Sequence, residues 1–299
     1  MLNKLFVATV LVVLLFSGGT KAQDFKTIEK IEDSLLVTVD SMYHAFIPED
    51  RVGHTERFIK QLIRALKVPN SYQYPFERLS NSVNIIEPVG KEFRIFNWIT
   101  EPTDVGFRYY AAIQMPEEEL KLYPLYDYSN EMKKGAQDSI LTKGKWYGAL
   151  IYNIVTKEKD GEKIYTLFGK NASAPISNKK VLDPMRITDD GVVFGMPIFK
   201  MYGPANAPGG TVNRFILEYK KEVQVSMNWG ADIDGIYFDK LVSQVNDPNR
   251  KYTFVPSGQY DGFKWGRGMW NYTSNIITID VREDGEAPTP QPIKGKSEN

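Results

Sequence analysis

Of the five Asp-Gly dipeptides, the four at 160–161, 190–191, 234–235 and 261–262 each fall between runs rich in β-branched and aromatic residues. Aspartate followed by glycine supplies the positive φ angles of tight hairpin turns, so each pair is expected to join two antiparallel strands. The stretch KWYGALIYNIVTKEKDGEKIYTLFG, residues 145–169, shows the pattern most fully. Trp146, Leu150, Tyr152 and Ile154 share one face of its first run, and Tyr147, Ala149, Ile151 and Val155 the other. With both faces apolar, the run is expected to be a central strand of the core. In EVQVSMNW, residues 222–229, Val223, Val225, Met227 and Trp229 alternate with polar residues, which predicts a half-buried strand. Phe215, Leu217 and Tyr219 predict another just upstream.

Helical spacing is confined to the N-terminal part. Phe25, Ile28, Ile31, Leu35, Val39, Met42, Tyr43 and Phe46 recur at three to four residues, one face of a helix that Pro48 should stop. A second helix is expected from an N-cap at Thr55 through Phe58, Leu62, Ile63 and Leu66, ending before Pro69. These helices are expected to cover a sheet. The fold class is therefore α+β, mostly antiparallel β, with residues 23–70 helical, 71–280 a hairpin-rich β domain, and the polar, Pro-rich residues 281–299 a disordered tail.

The first residues carry an address. After Lys4 an apolar run of about 13 residues is too short to span a bilayer, and Thr20 and Ala22 put small residues at the minus-three and minus-one positions of a secretory cleavage site. Cleavage after Ala22 would leave a mature chain beginning at Gln23, with no transmembrane segment, in the periplasm or outside the cell. The chain has 0 cysteines, which excludes disulfides, thiolate nucleophiles and Cys-ligated zinc. Lys+Arg and Asp+Glu are both 37, so no basic field for nucleic acid exists.

Other chemistry leaves few traces. The two histidines, His44 and His54, do not form HExxH, no G-x-S-x-G elbow occurs, and GPANAPGG at 203–210 lacks the lysine of a phosphate loop. No cofactor or metal signature is present. ADIDG, residues 231–235, offers two carboxylates for calcium but reads more simply as a turn. A glycosidase would need two carboxylates from remote strands, for which Asp183, Glu218 and Asp239 are the candidates. The best recognition segment is YDGFKWGRGMWNY, residues 260–272, where Trp265, Trp270 and Tyr272 interleave with Lys264 and Arg267. Flat aromatics beside hydrogen-bonding groups suit a glycan or a partner protein, while the same tryptophans could instead close the core.

The succession PFERLSNSVNIIEPVGKEFRIFNW, KWYGALIYNI, KIYTLFGKN, VVFGMPIF, RFILEYKKEVQVSMNW, IYFDKL and YDGFKWGRGMW, across residues 75–270, resembles an uncharacterised family of secreted Bacteroidetes proteins. The resemblance implies a shared hairpin-rich fold and a Gram-negative envelope or exterior location, and it carries no catalytic residues. In that setting Asp33-Ser34-Leu35, Asp40-Ser41-Met42 and Asp138-Ser139-Ile140 resemble the short Asp-Ser/Thr-apolar acceptor of Bacteroidetes O-glycosylation. The function expected is that of an exported, non-enzymatic binding protein for a glycan or an envelope protein. A carboxylate-dependent glycan hydrolase and a structural envelope subunit are the alternatives.

Overall fold

The computed structural model describes residues 2–101, 106–132, 135–202 and 208–277, with side chains from Lys21 onward apart from Pro208. The segment 281–299 and the end of the expected β domain lie outside the described residues. Helix α1 runs Leu2–His44 and α2 Pro48–Leu66. Ile28, Leu35, Val39 and Met42 of α1 and Phe58, Leu62, Ala65 and Leu66 of α2 are buried together, as the spacing predicts. The start of α2 differs from expectation. Pro48 occupies its first turn, where a missing N–H costs nothing. Thr55 therefore lies inside the helix, its hydroxyl donating back to the Arg51 carbonyl at 2.7 Å. Among the described residues no helix is long and apolar enough to cross a membrane.

The strands follow in chain order. They are β1 (Asn84–Ile86), β2 (Arg94–Thr100), β3 (Arg108–Gln114), β4 (Leu122–Asp127), β5 (Lys145–Trp146), β6 (Leu150–Lys159), β7 (Glu162–Asn171) and β8 (Ser177–Thr188). Then come β9 (Gly191–Phe194), β10 (Phe199–Tyr202), β11 (Pro208–Val212), β12 (Phe215–Lys220), β13 (Met227–Gly230), β14 (Gly235–Ser243), β15 (Phe254–Gly266) and β16 (Met269–Ile277). Three sheets result. The first has the order β1-β2-β3-β4-β5, the second β12-β8-β7-β6 with β9 on β8, and the third β11-β10-β16-β15-β14-β13. All ladders are antiparallel except β4–β5 and β10–β16.

Four layers stack in sequence: helices, first sheet, second sheet, third sheet. One core lies between helices and first sheet around Phe58, Phe96 and Trp98. A second joins Ile95 and Ile113 to Ile151, Leu167 and Met185. The third joins Phe168 and Leu182 to Phe238, Phe263 and Trp270. The first and second sheets are thus apolar on both faces. In β7 the run Ile164, Tyr165, Thr166, Leu167 and Phe168 is wholly buried.

Three of the four Asp-Gly pairs lie where chains turn. Asp160 and Gly161 have φ of 54° and 82° between β6 and β7, Gly191 opens β9, and Asp234 closes the turn into β14. The fourth does not. Asp261 and Gly262 lie inside β15, at a register shift opposite β16. The Asp261 carboxylate accepts from the Tyr272 hydroxyl and the Asn275 N–H, and a Cβ at Gly262 would collide with the Ile236 carbonyl. The turn joining β15 to β16 is Arg267-Gly268, with φ of 54° and 71°.

Two strand expectations also change. In 222–229 burial alternates as predicted, with Val225 and Met227 inside. The ladder nevertheless begins only at Met227, because Val223 closes a turn on Lys220 and the Ser226 N–H goes to the Asp239 carboxylate. The run 145–155 is not one central strand. Trp146 belongs to β5 in the first sheet, and β6 is the last strand of the second, leaving β7 as the central one. The outer edge of β6 is satisfied by side chains instead. Asn97 accepts from the Ile151 N–H at 2.7 Å and donates to the Ala149 and Tyr110 carbonyls, and Asn84 donates to the Ile151 carbonyl. These amides bind the first sheet to the second, while the faces of β6 read as apolar because Ile151 and Ile154 enter the core with the first sheet and Val155 and Tyr152 the core with the third.

Candidate functional site

The C-terminal segment resolves into core and rim. Trp270 is fully buried, and its Nε1 donates to Thr166 Oγ1 at 3.0 Å. Trp265 and Trp229, both partly exposed, pack edge-on against it with centroids at 4.9 and 6.2 Å. Lys157 lies over the Trp229 ring at 4.7 Å. Lys264 donates to the Ile233 carbonyl, Tyr272 is engaged with Asp261, and Arg267 occupies the exposed turn. The five residues share one hairpin, but Trp270 serves the core and its neighbours are mostly tied to the fold.

The three candidate carboxylates are structural as well. Asp183 lies mid-strand in β8, buried, with its Oδ2 2.7 Å from Arg214 Nε, out of line for a hydrogen bond. Burial pushes its carboxyl above the ordinary range, against the pull of Arg214. Glu218 accepts from the Ser177 hydroxyl at 2.5 Å, and Asp239 from the Ser226 N–H at 2.6 Å. In the 231–235 turn, Asp234 pairs with Lys157 at 3.2 Å. His44 lies 3.0 Å from Asp40 on the same helix, and His54 is on the other helix.

A different place gathers unspent hydrogen-bonding capacity. Strand β1 ends its pairing at Asn84 opposite Asn97, so among the described residues the edge of β2 from Trp98 to Thr100 on that side has no strand neighbour. A cleft of about 520 Å³ opens there, within the range of small-molecule sites. Its walls come from the ends of both helices (Met42, Tyr43, Arg51), Ser82 and the first residue of β1, Asn84, β2 itself and Leu150. Trp98 is 4% exposed and Thr100 3%, yet the indole Nε1 and the hydroxyl have no partner among the described residues. Both atoms have essentially no exposed surface, so they lie behind the cleft wall and the open part of the cleft is formed by their neighbours.

The surroundings hold these groups in place. The Trp98 ring stacks on Tyr110 at 5.6 Å and 5° and meets Phe58 edge-on, which locks it into the core between helices and sheet. Tyr43 donates to the Ser82 carbonyl at 2.9 Å, and burial pushes its hydroxyl up to about 12, so it stays protonated. Arg51 donates to the Ala45 and Glu101 carbonyls across the mouth. Sequence reasoning passes over this site because its residues come from four remote segments with no shared motif. The only local signal is a hydroxyl and an indole two apart on a strand face.

No family model matches the chain, no curated protein is similar to it, and no solved structure resembles it at a significant level.

Proposed function

We propose that this is an exported, non-enzymatic binding protein of the cell envelope whose ligand, foremost a glycan, seats in the cleft between the helices and β2. The observation that carries this reading is the cleft itself, about 520 Å³, walled by Tyr43, Arg51, Ser82, Asn84 and Leu150. Glycan hydrolysis needs two free carboxyl groups about 5 to 10 Å apart. Among the described residues Glu101 is the one carboxylate lining the cleft, while Asp183, Glu218 and Asp239 are engaged elsewhere. The leader-like run before Ala22 and the resemblance to secreted Bacteroidetes proteins supply the location.

Titration of the protein with envelope polysaccharide, followed by tryptophan fluorescence, tests the reading. Saturable binding that Ser82→Phe, a bulky side chain in the cleft wall, abolishes is the expected result. Binding that is unchanged in Ser82→Phe, or no saturable response, overturns it.

A further inference from the structure

Opposite charges that face each other across a β ladder attract, and one such couple here is held apart. Lys179 on β8 lies directly opposite Glu218 on β12. Cβ atoms in that position are about 5 Å apart, so both side chains are long enough to meet. Each is drawn aside instead. Lys179 donates to the Tyr147 hydroxyl at 3.3 Å, and Glu218 accepts from the buried Ser177 hydroxyl at 2.5 Å. Both partners are neutral, since burial pushes the Tyr147 hydroxyl above its ordinary range and keeps it protonated. Lys179 retains two N–H groups and Glu218 its second oxygen for another partner.

A cavity of about 310 Å³ is lined by both side chains, each half-buried, and by the exposed Lys251 and Asp138. Among the described residues none of these four is in an ion pair. The cavity shares no residue with the cleft beside β2. Its loop wall is fixed, because Gln137 accepts from the Ile216 N–H at 3.1 Å and the buried Arg214 donates to the Ala136 carbonyl at 2.6 Å. A simple anion or cation would meet a like charge in this wall, whereas a ligand carrying both signs close together satisfies Lys179 and Glu218 at once. An α-amino acid has its ammonium and carboxylate on one carbon, and the volume lies at the small end of ligand pockets, about 300 to 1,000 Å³. Met132 and Ile216 supply apolar wall for its side chain. We propose that this cavity binds a free α-amino acid with an aliphatic side chain, its carboxylate on Lys179 and its ammonium group on Glu218.

Calorimetric titration of the full protein with leucine, N-acetylleucine and leucinamide tests this, with thermal melting of each variant as the check on folding. Leucine is expected to bind at least about tenfold more tightly than either blocked form, a difference of about 1.4 kcal/mol. Lys179→Met should remove its advantage over leucinamide. Glu218→Gln, which keeps an acceptor for Ser177, should remove its advantage over N-acetylleucine. N-acetylleucine binding as tightly as leucine overturns the proposal in favour of a plain anion site, and leucinamide doing so overturns it in favour of a cation site. No leucine binding, or leucine binding that either variant leaves intact, overturns it outright.

Discussion

Trp270 and Thr166, 104 residues apart, share a hydrogen bond of 3.0 Å from the indole Nε1 to the hydroxyl, across the core between the second and third sheets. Neither is exposed at all. Trp270→Ala should therefore destabilise the protein by about 3 to 5 kcal/mol, the cost of a large buried cavity. Trp265→Ala, at a partly exposed ring, should cost clearly less. Urea unfolding of the two single variants checks the ranking. Equal losses would contradict the division of this segment into core and rim.

Asn97 supplies hydrogen bonds that a strand neighbour would otherwise give to β6. Asn97→Leu keeps the volume but leaves the Ile151 N–H and the Ala149 carbonyl without that partner inside the protein. Each orphaned group costs about 1 to 3 kcal/mol. Hydrogen exchange should show faster opening at the Ile151 amide, with β15 and β16 unaffected. A uniform rise across all three sheets would mean that the amide supports global stability only.

Tyr43, Tyr109 and Tyr219 are each raised from about 10 to about 12 by burial. Because the unfolded chain releases these protons near pH 10 and the folded one holds them to about 12, their contribution is complete below pH 10. It is lost as pH climbs through that window. Arg94 opposes this, since burial lowers its guanidinium to about 10 and the penalty of its charge fades above that pH. Three tyrosines outweigh one arginine. Thermal melts should fall steeply between pH 10 and 12, and Tyr109→Phe should flatten the slope. A stability that rises across this window would refute the balance.

Export predicts removal of residues 1–22. Among the described side chains, the contacts of α1 with the core begin at Phe25, so a chain starting at Gln23 should melt at the same temperature as the full one. N-terminal sequencing of the envelope protein should read Gln23 first, and a chain beginning at Met1 would sink the idea. Ser34 is exposed and Ser41 and Ser139 are half-buried, their hydroxyls bonded to carbonyls four residues back. Intact mass of native protein would exceed the polypeptide if the Asp-Ser motifs carry sugar, and a bare mass rejects that.

Periodicity carried the parts of the fold that depend on one chain segment meeting one boundary. Ile28, Leu35, Val39 and Met42 could be placed together because helical geometry alone puts them on one face. Asp160-Gly161 was legible because its turn is local. Asp261-Gly262 has the same local chemistry, yet Tyr272 and Asn275 claim the aspartate and hold it in a strand, which no window of sequence shows. The double apolar pattern of 145–155 was real, but it comes from lying between two other sheets, and the edge is closed by Asn84 and Asn97, more than 50 residues before Ile151. The cleft was illegible for a related reason. Trp98 is an ordinary strand aromatic until the early end of β1 exposes the edge beside it.

Strand β2 is a party wall. Ile95 looks into the core between the first two sheets, while Phe96 and Trp98 look toward the helices, so successive residues answer to different rooms. A change at 96 or 98 presses on the helices and one at 95 on the second sheet, so the two rooms can be rebuilt apart from one another, and the record of each would be confined to alternate letters of a seven-residue word.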